Sequence, residues 1–183
     1  MKLLRFIPLL LCLMIFRSDV IVAQPLSLSE YEIKAAFLYN FAKFTEWPPE
    51  TFSGENDSLV IGVLGRDPFG DVLEKVIGGK TIGGRPIAIH RFRYSGFFER
   101  CHILFVSESE ISRLRDIFQR LQKASVLTVS DIPEFAQKGG MIYLYPKENK
   151  IRFAINISQV EKARLKLSAK LLNLSQIVKE ERN

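Results

Sequence analysis

The chain is poor in the residues that staple or catalyse: two cysteines, two histidines, three methionines and one tryptophan in 183 residues. Cys12 lies inside an apolar amino-terminal run, so once that run is removed only Cys101 remains and no internal disulfide can form. Two histidines and a cysteine make no zinc site, and His102 adjoins Cys101 on a strand, where neighbouring side chains point to opposite faces. Long apolar runs are missing as well. No stretch beyond the amino terminus reaches the roughly 18 uncharged apolar residues that a membrane-spanning helix needs. Charge of one sign is in only mild excess, at +6 formally, which argues against a dedicated nucleic-acid surface.

What is present begins with a leader. Lys2 and Arg5 precede the apolar run Phe6 to Phe16, and Ile21-Val22-Ala23 offers a small-residue cleavage site before Gln24. Residues 1–23 are expected to be a secretory signal peptide cleaved near Ala23, with 24–183 one periplasmic domain that does not insert into the membrane. Leu9-Leu10-Leu11 before Cys12 lacks the small residues of a lipid-attachment site. Cleavage removes Lys2, Arg5 and Arg17 against Asp19, so the formal charge falls from +6 to +4.

Ser27 with Glu30, or Ser29 with Glu32, has the spacing of a capping box that opens a helix over about 30–45. Ile33, Phe37, Phe41 and Phe44 supply its apolar spacing, and Trp47-Pro48-Pro49 ends it. Six strands follow from apolar or alternating runs: LVIGVLG, PIAIHRF, HILFVS, SVLTVS, MIYLY and IRFAI, the last two forming a hairpin around Pro146 to Lys150. Helices are expected around Val72 to Val76, after Ser107 through a capping box with Glu110, and as one long element from about Ser158 to Ile177 with the stripe Val160, Ala163, Leu167, Leu171 and Leu174. The pattern predicts a single layered α/β domain: about six strands in a largely parallel sheet with an antiparallel edge hairpin, flanked by about five helices.

Two glycine-rich stretches look like phosphate loops and fail on inspection. VIGGKTIGGRP carries Glu74 where a P-loop needs its first glycine, and it follows a helix instead of a strand. GVLGRDPFG has Leu64 where the dinucleotide fingerprint needs glycine. The serines lack a nucleophile elbow, and Asp67 with Asp71 reads as solvated loop carboxylates before it reads as a glycosidase pair. No catalytic residue, metal site or cofactor is expected.

Several segments together resemble the YfiR family, periplasmic proteins built on the DUF4154 domain. EIKAAFLYNFAKFTEWP, VIGVLGRDPFG, GKTIGGRP, CHILFVS, GGMIYLY and IRFAINISQVEKARLKLSAKLLNLS occur in the family's order, from about Glu30 to Val178. The resemblance implies a non-enzymatic regulator that binds the periplasmic part of an inner-membrane diguanylate cyclase, lowers cyclic di-GMP signalling and so discourages biofilm. Relatives form dimers, so a homodimer is expected. Relatives under redox control hold the position of Cys101 in a disulfide, which this chain cannot form internally, and many carry a carboxylate where it has Ala154.

The residues themselves offer two candidate surfaces. Leu165, Ala169 and Leu172 form a second apolar line on the last helix, and Trp47, with Tyr39 and Lys43, borders the first; these are the candidate partner contacts. The alternative function, a sensor of small solutes or peptidoglycan, would use Arg66, Asp67 and Phe69 in the loop after the first strand together with Asn156.

Overall fold

A computed structural model describes residues 29–54, 57–94 and 96–179. The leader expected over 1–23 and Ser27 lie outside the described residues. The first helix, α1 (Glu30–Lys43), starts at the Ser29–Glu32 capping box: the Ser29 hydroxyl accepts the Glu32 N–H at 3.2 Å and the Glu32 carboxylate accepts the Ser29 N–H at 2.5 Å. Glu30 and Glu32 in its first turn and Lys43 in its last complement the helix dipole.

The remaining elements are β1 (Thr45–Glu46), β2 (Leu59–Leu64), α2 (Val72–Ile77), β3 (Thr81–Ile82), β4 (Arg85–Phe92), β5 (Ile103–Val106), α3 (Leu114–Leu121), β6 (Leu127–Ser130), β7 (Ile142–Lys147), β8 (Lys150–Asn156), α4 (Ile157–Lys162), β9 (Lys166–Leu167), α5 (Ala169–Leu174) and β10 (Gln176–Val178). Eight strands form one sheet in the order β10-β8-β7-β6-β5-β2-β4-β3, and β1 pairs with β9 in a separate ribbon. Strands β4, β2, β5, β6 and β7 run parallel; β3 is antiparallel to β4 and β8 to β7, and β10 runs parallel to β8. The α/β class and the six core strands expected from sequence are present, and the strand number is higher because short edge segments add to them.

Parallel strands must be covered on both faces, which is why their sequences are nearly continuous apolar runs. Alternate residues divide accordingly. Ile61, Val63, Ile103, Phe105, Leu127 and Val129 face the core beneath α1, α2 and the carboxyl-terminal helices. Leu64, Leu104 and Val106 face α3, where Leu114, Ile117 and Leu121 are buried. Gly62 is small because Phe92 lies across it: a Cβ there would stand 2.7 Å from that ring. The buried face of α1 is Lys34, Ala35, Leu38, Phe41 and Ala42, so Ile33, Phe37 and Phe44 sit on its flanks, not at its centre.

Two sequence expectations are corrected. Ser107 makes no side-chain cap; Glu108–Arg113 forms a 3₁₀ turn ahead of α3, and the Glu110 N–H bonds to the Ser107 carbonyl instead. The long final helix does not exist as one element. Arg164 takes φ +60°, the Leu165 N–H bonds to Val160 and the Arg164 N–H to Glu161, which is a Schellman stop with arginine in the place glycine usually holds. Ser168 then caps α5 by accepting the Leu171 N–H at 3.4 Å.

The β7–β8 hairpin turns through Glu148 at φ +52° and Asn149 at φ +57°, a pair of left-handed residues that suits Asn-Gly far better. The double change Glu148→Asn and Asn149→Gly is expected to raise stability by about 1 kcal/mol. A higher urea midpoint at unchanged slope would confirm it, and an unchanged midpoint would contradict the turn assignment.

Candidate functional site

The loops that leave β2 and β5 diverge. One returns through α2 to β4 on one side of β2, the other through α3 to β6 on the opposite side. Their carboxyl ends flank a topological switch point, the place where open α/β sheets hold ligands. A cleft of about 280 Å³ lies there, lined by Arg66 and Pro68 after β2, Ser107, Glu108 and Ser109 after β5, Asp131 after β6, and Tyr31 of α1.

The two loops are locked to each other. Gly65 has φ +93°, and a Cβ on it would collide with the Ser109 hydroxyl, so only glycine fits. The Arg66 N–H donates to Ser109 Oγ at 2.9 Å, and the Ser109 hydroxyl donates to Glu110 Oε1 at 3.2 Å. Buried Glu110 is held in turn by Arg113 at 3.1 Å. On the outer side Arg91 of β4 clamps the β2 loop: its Nε donates to Asp67 at 2.6 Å, its Nη1 and Nη2 to Glu74 at 2.5 and 3.0 Å, and its Nη2 to the Gly70 carbonyl at 2.7 Å. Hydrogen bonding from Arg91 holds the Glu74 carboxyl below the usual carboxylate range.

Two of the lining residues, Asp131 and Tyr31, contact a buried charge. Lys34 is 2% exposed and reaches Glu30 at 2.5 Å and Asp131 at 2.6 Å, while the Tyr31 hydroxyl donates to the same Asp131 oxygen at 3.1 Å. Burial alone would lower the Lys34 pKa, but the hydrogen bonds to Asp131 and Glu30 outweigh it, so the ammonium is held more firmly than usual. Burial, then the Asp131 charge, raises the Tyr31 pKa, so its hydroxyl keeps its proton. Ser107, Ser109, Asp131 and Tyr31 escaped sequence reasoning because each is an ordinary loop or cap residue until the topology converges them. The one available signal was position, since each loop residue follows the carboxyl end of a strand.

The ligand candidates do not assemble as a set. Arg66 is exposed at the cleft, and among the described residues its guanidinium has no partner. Asp67 is engaged by Arg91 and accepts the Phe69 N–H at 2.8 Å. Phe69 is 3% exposed and packs edge-on against Tyr31 and Phe105 at 5.2 and 4.8 Å, so it is core. Asn156 is fully buried on β8, four strands from β2 or roughly 19 Å at about 4.8 Å per strand. It caps α4 and donates to the Ala136 carbonyl at 2.8 Å, which leaves it no role at the cleft. Asp71 pairs with Lys75 at 2.6 Å, separately from Asp67.

With this geometry in hand, the profile of the YfiR/HmsC-like family, DUF4154, matches residues 31–176. The chain belongs to that family. No curated protein matches it. The YfiR-like family is one of periplasmic regulators rather than enzymes, and no helix among the described residues is long and apolar enough to cross a membrane.

For a YfiR-like protein the informative residues are those a partner can touch. Leu165, expected on a partner surface, is 3% exposed: as the residue after the Schellman stop it packs back on Val160 in the core. Ala169 is exposed and Leu172 half-buried against the core edge. Trp47 is half-buried, with its indole N–H donating to the His102 carbonyl at 3.2 Å. Leu174, read as part of the core stripe, is 65% exposed, because the chain leaves α5 one residue later to form β10, where Ile177 is 49% exposed. Cys101 is buried, donates to the Phe98 carbonyl at 2.9 Å, and burial raises its pKa far above the thiol norm, so it is not the thiolate that redox exchange requires.

Replacing Asp131 by alanine strands the buried Lys34 ammonium with Glu30 alone and is expected to cost about 3 kcal/mol in urea unfolding. A loss below about 1 kcal/mol would mean that the pair is solvated, because surface pairs are worth no more.

Proposed function

We propose that this protein is a non-enzymatic periplasmic regulator that binds the periplasmic part of an inner-membrane diguanylate cyclase and restrains it, lowering cyclic di-GMP signalling and biofilm formation. Family membership over residues 31–176 carries this reading. The signal peptide read at 1–23 supplies the route to the periplasm, and a homodimer is its expected state. The contact surface is the carboxyl-terminal edge of the sheet. There β10 has a neighbour on one side only, and Leu174 and Ile177 are exposed beside half-buried Leu172 and exposed Ala169. Open backbone groups next to exposed apolar side chains favour strand addition or apolar docking by a protein partner.

Mature 24–183 is expected to co-purify with the periplasmic domain of a cyclase encoded beside it, and Leu174→Asp with Ile177→Asp to reduce that binding at least tenfold with the melting temperature unchanged. Undiminished binding by the double variant would move the contact elsewhere, and no complex with the wild-type chain would remove the cyclase as partner.

One observation favours the second reading, a sensor of small solutes or peptidoglycan: the cleft at the switch point, where Arg66 and Glu108 have no side-chain partner among the described residues. Soluble peptidoglycan fragments should then raise the melting temperature in a concentration-dependent way, with the effect lost in Arg66→Ala. No shift at millimolar fragment would count against it.

A further inference from the structure

At the amino-terminal end of the central strand β5, His102 is only 6% exposed. Its Nδ1 accepts the Val60 N–H at 3.0 Å, which puts the single ring proton on Nε2, and Nε2 is buried without a hydrogen-bond partner. Phe52 stacks on the imidazole with centroids 4.4 Å apart and an interplanar angle of 21°, while Trp47 meets it edge-on at 5.9 Å. Trp47 also donates to the His102 carbonyl. The Arg85 guanidinium lies 3.9 Å from the Phe52 ring and donates to the Gly54 carbonyl at 2.7 Å. One imidazole therefore touches both ends of the segment Trp47–Phe52, stacked on Phe52 and met edge-on by Trp47.

A second proton can enter only at Nδ1. That nitrogen would change from acceptor to donor while still facing the Val60 N–H, itself a donor, so the bond becomes a repulsion. The new charge would be buried, with no acceptor at Nε2. Of the ionisable groups that bear on the ring, Arg85 opposes the charge and Asp57 favours it. Neighbouring Cys101 keeps its proton and contributes no compensating charge. The main chain is held independently: the His102 N–H bonds to Val60 at 2.9 Å and its carbonyl accepts the Leu127 N–H at 2.8 Å. The side chain can leave while the strand remains paired.

We propose that His102 is a latch: protonation turns its ring out of its contacts with Phe52 and Trp47 and loosens the segment between them, while the sheet stays folded and Trp47 keeps its bond to the main chain. Burial first, then Arg85, lowers the imidazole pKa to about 4 in the closed form. The freed ring regains the ordinary value near 6.5. The open form therefore binds more protons, and the closed form is fully favoured above about pH 6.5 and loses ground as pH falls toward about 4. This inference is independent of the identity of the partner.

Trp47 is the only tryptophan, so its fluorescence reads the segment directly. Titrating the mature chain from pH 7.5 to 3.5 should red-shift its emission in a one-proton step below pH 6.5, with far-UV circular dichroism unchanged through that step. His102→Asn, whose carbonyl can accept the Val60 N–H but does not titrate, should abolish the step. Should that variant fail to fold, proton NMR of the wild-type chain gives the same answer: the His102 midpoint must coincide with the fluorescence midpoint. A step that persists in His102→Asn, a step that coincides with loss of circular dichroism, no step at all, or disagreement between the two midpoints would each overturn the latch.

Discussion

The need to cover both faces of five parallel strands governs this molecule. Parallel pairing leaves no wet face, so every residue of β5 and β6 is buried and the helices are distributed to satisfy them. Strand β2 lies inside the sheet with connections leaving to opposite sides, which opens the switch-point cleft. The cleft follows from the winding of the chain, and the cost of exposing apolar sheet faces enforces that winding.

Around this frame the polar residues mostly fix geometry. Arg91 ties the loop after β2 to β4, Arg120 ties the loop before β5 to α3 through Glu99 at 2.7 Å and the carbonyls of Tyr94 and Gly96, and Lys34 ties α1 to the end of β6. Lys34 and Arg120 satisfy partly buried carboxylate or backbone groups, whereas the Arg91 contacts lie at the surface. Among the described residues, Arg66 and Glu108 at the cleft and the open edge at β10 are left uncommitted, while buried His102 fits its site in its neutral form alone. That distribution suits a protein that acts by contact.

The strands were legible because buried parallel strands leave unmistakable apolar runs, and the Ser29–Glu32 cap because its chemistry is local. Other features were not, for identifiable reasons. The apolar stripe from Val160 to Leu174 runs on at helical spacing through Arg164, and nothing in an arginine announces a left-handed residue, so two helices and a ribbon strand were read as one helix. The same error placed Leu174 in the core and Leu165 on the surface. Lys34 lies in the centre of the buried face of α1, where a pattern of apolar residues cannot anticipate it; its partner Asp131 is 97 residues away. Arg66 was a candidate from sequence, but the other cleft residues became visible only through sheet order, which depends on pairings that no single segment encodes.

The central claim is that partner binding occurs at the carboxyl-terminal sheet edge and leaves the switch-point cleft open. Hydrogen–deuterium exchange of residues 24–183, free and with the periplasmic domain of the proposed cyclase partner, tests it most directly. For the proposed cyclase partner the account predicts new protection of the amides from Leu172 to Val178 and none from Gly65 to Phe69. Protection confined to the loops around Arg66 and Ser109, with the edge at β10 exchanging as in the free protein, would contradict it.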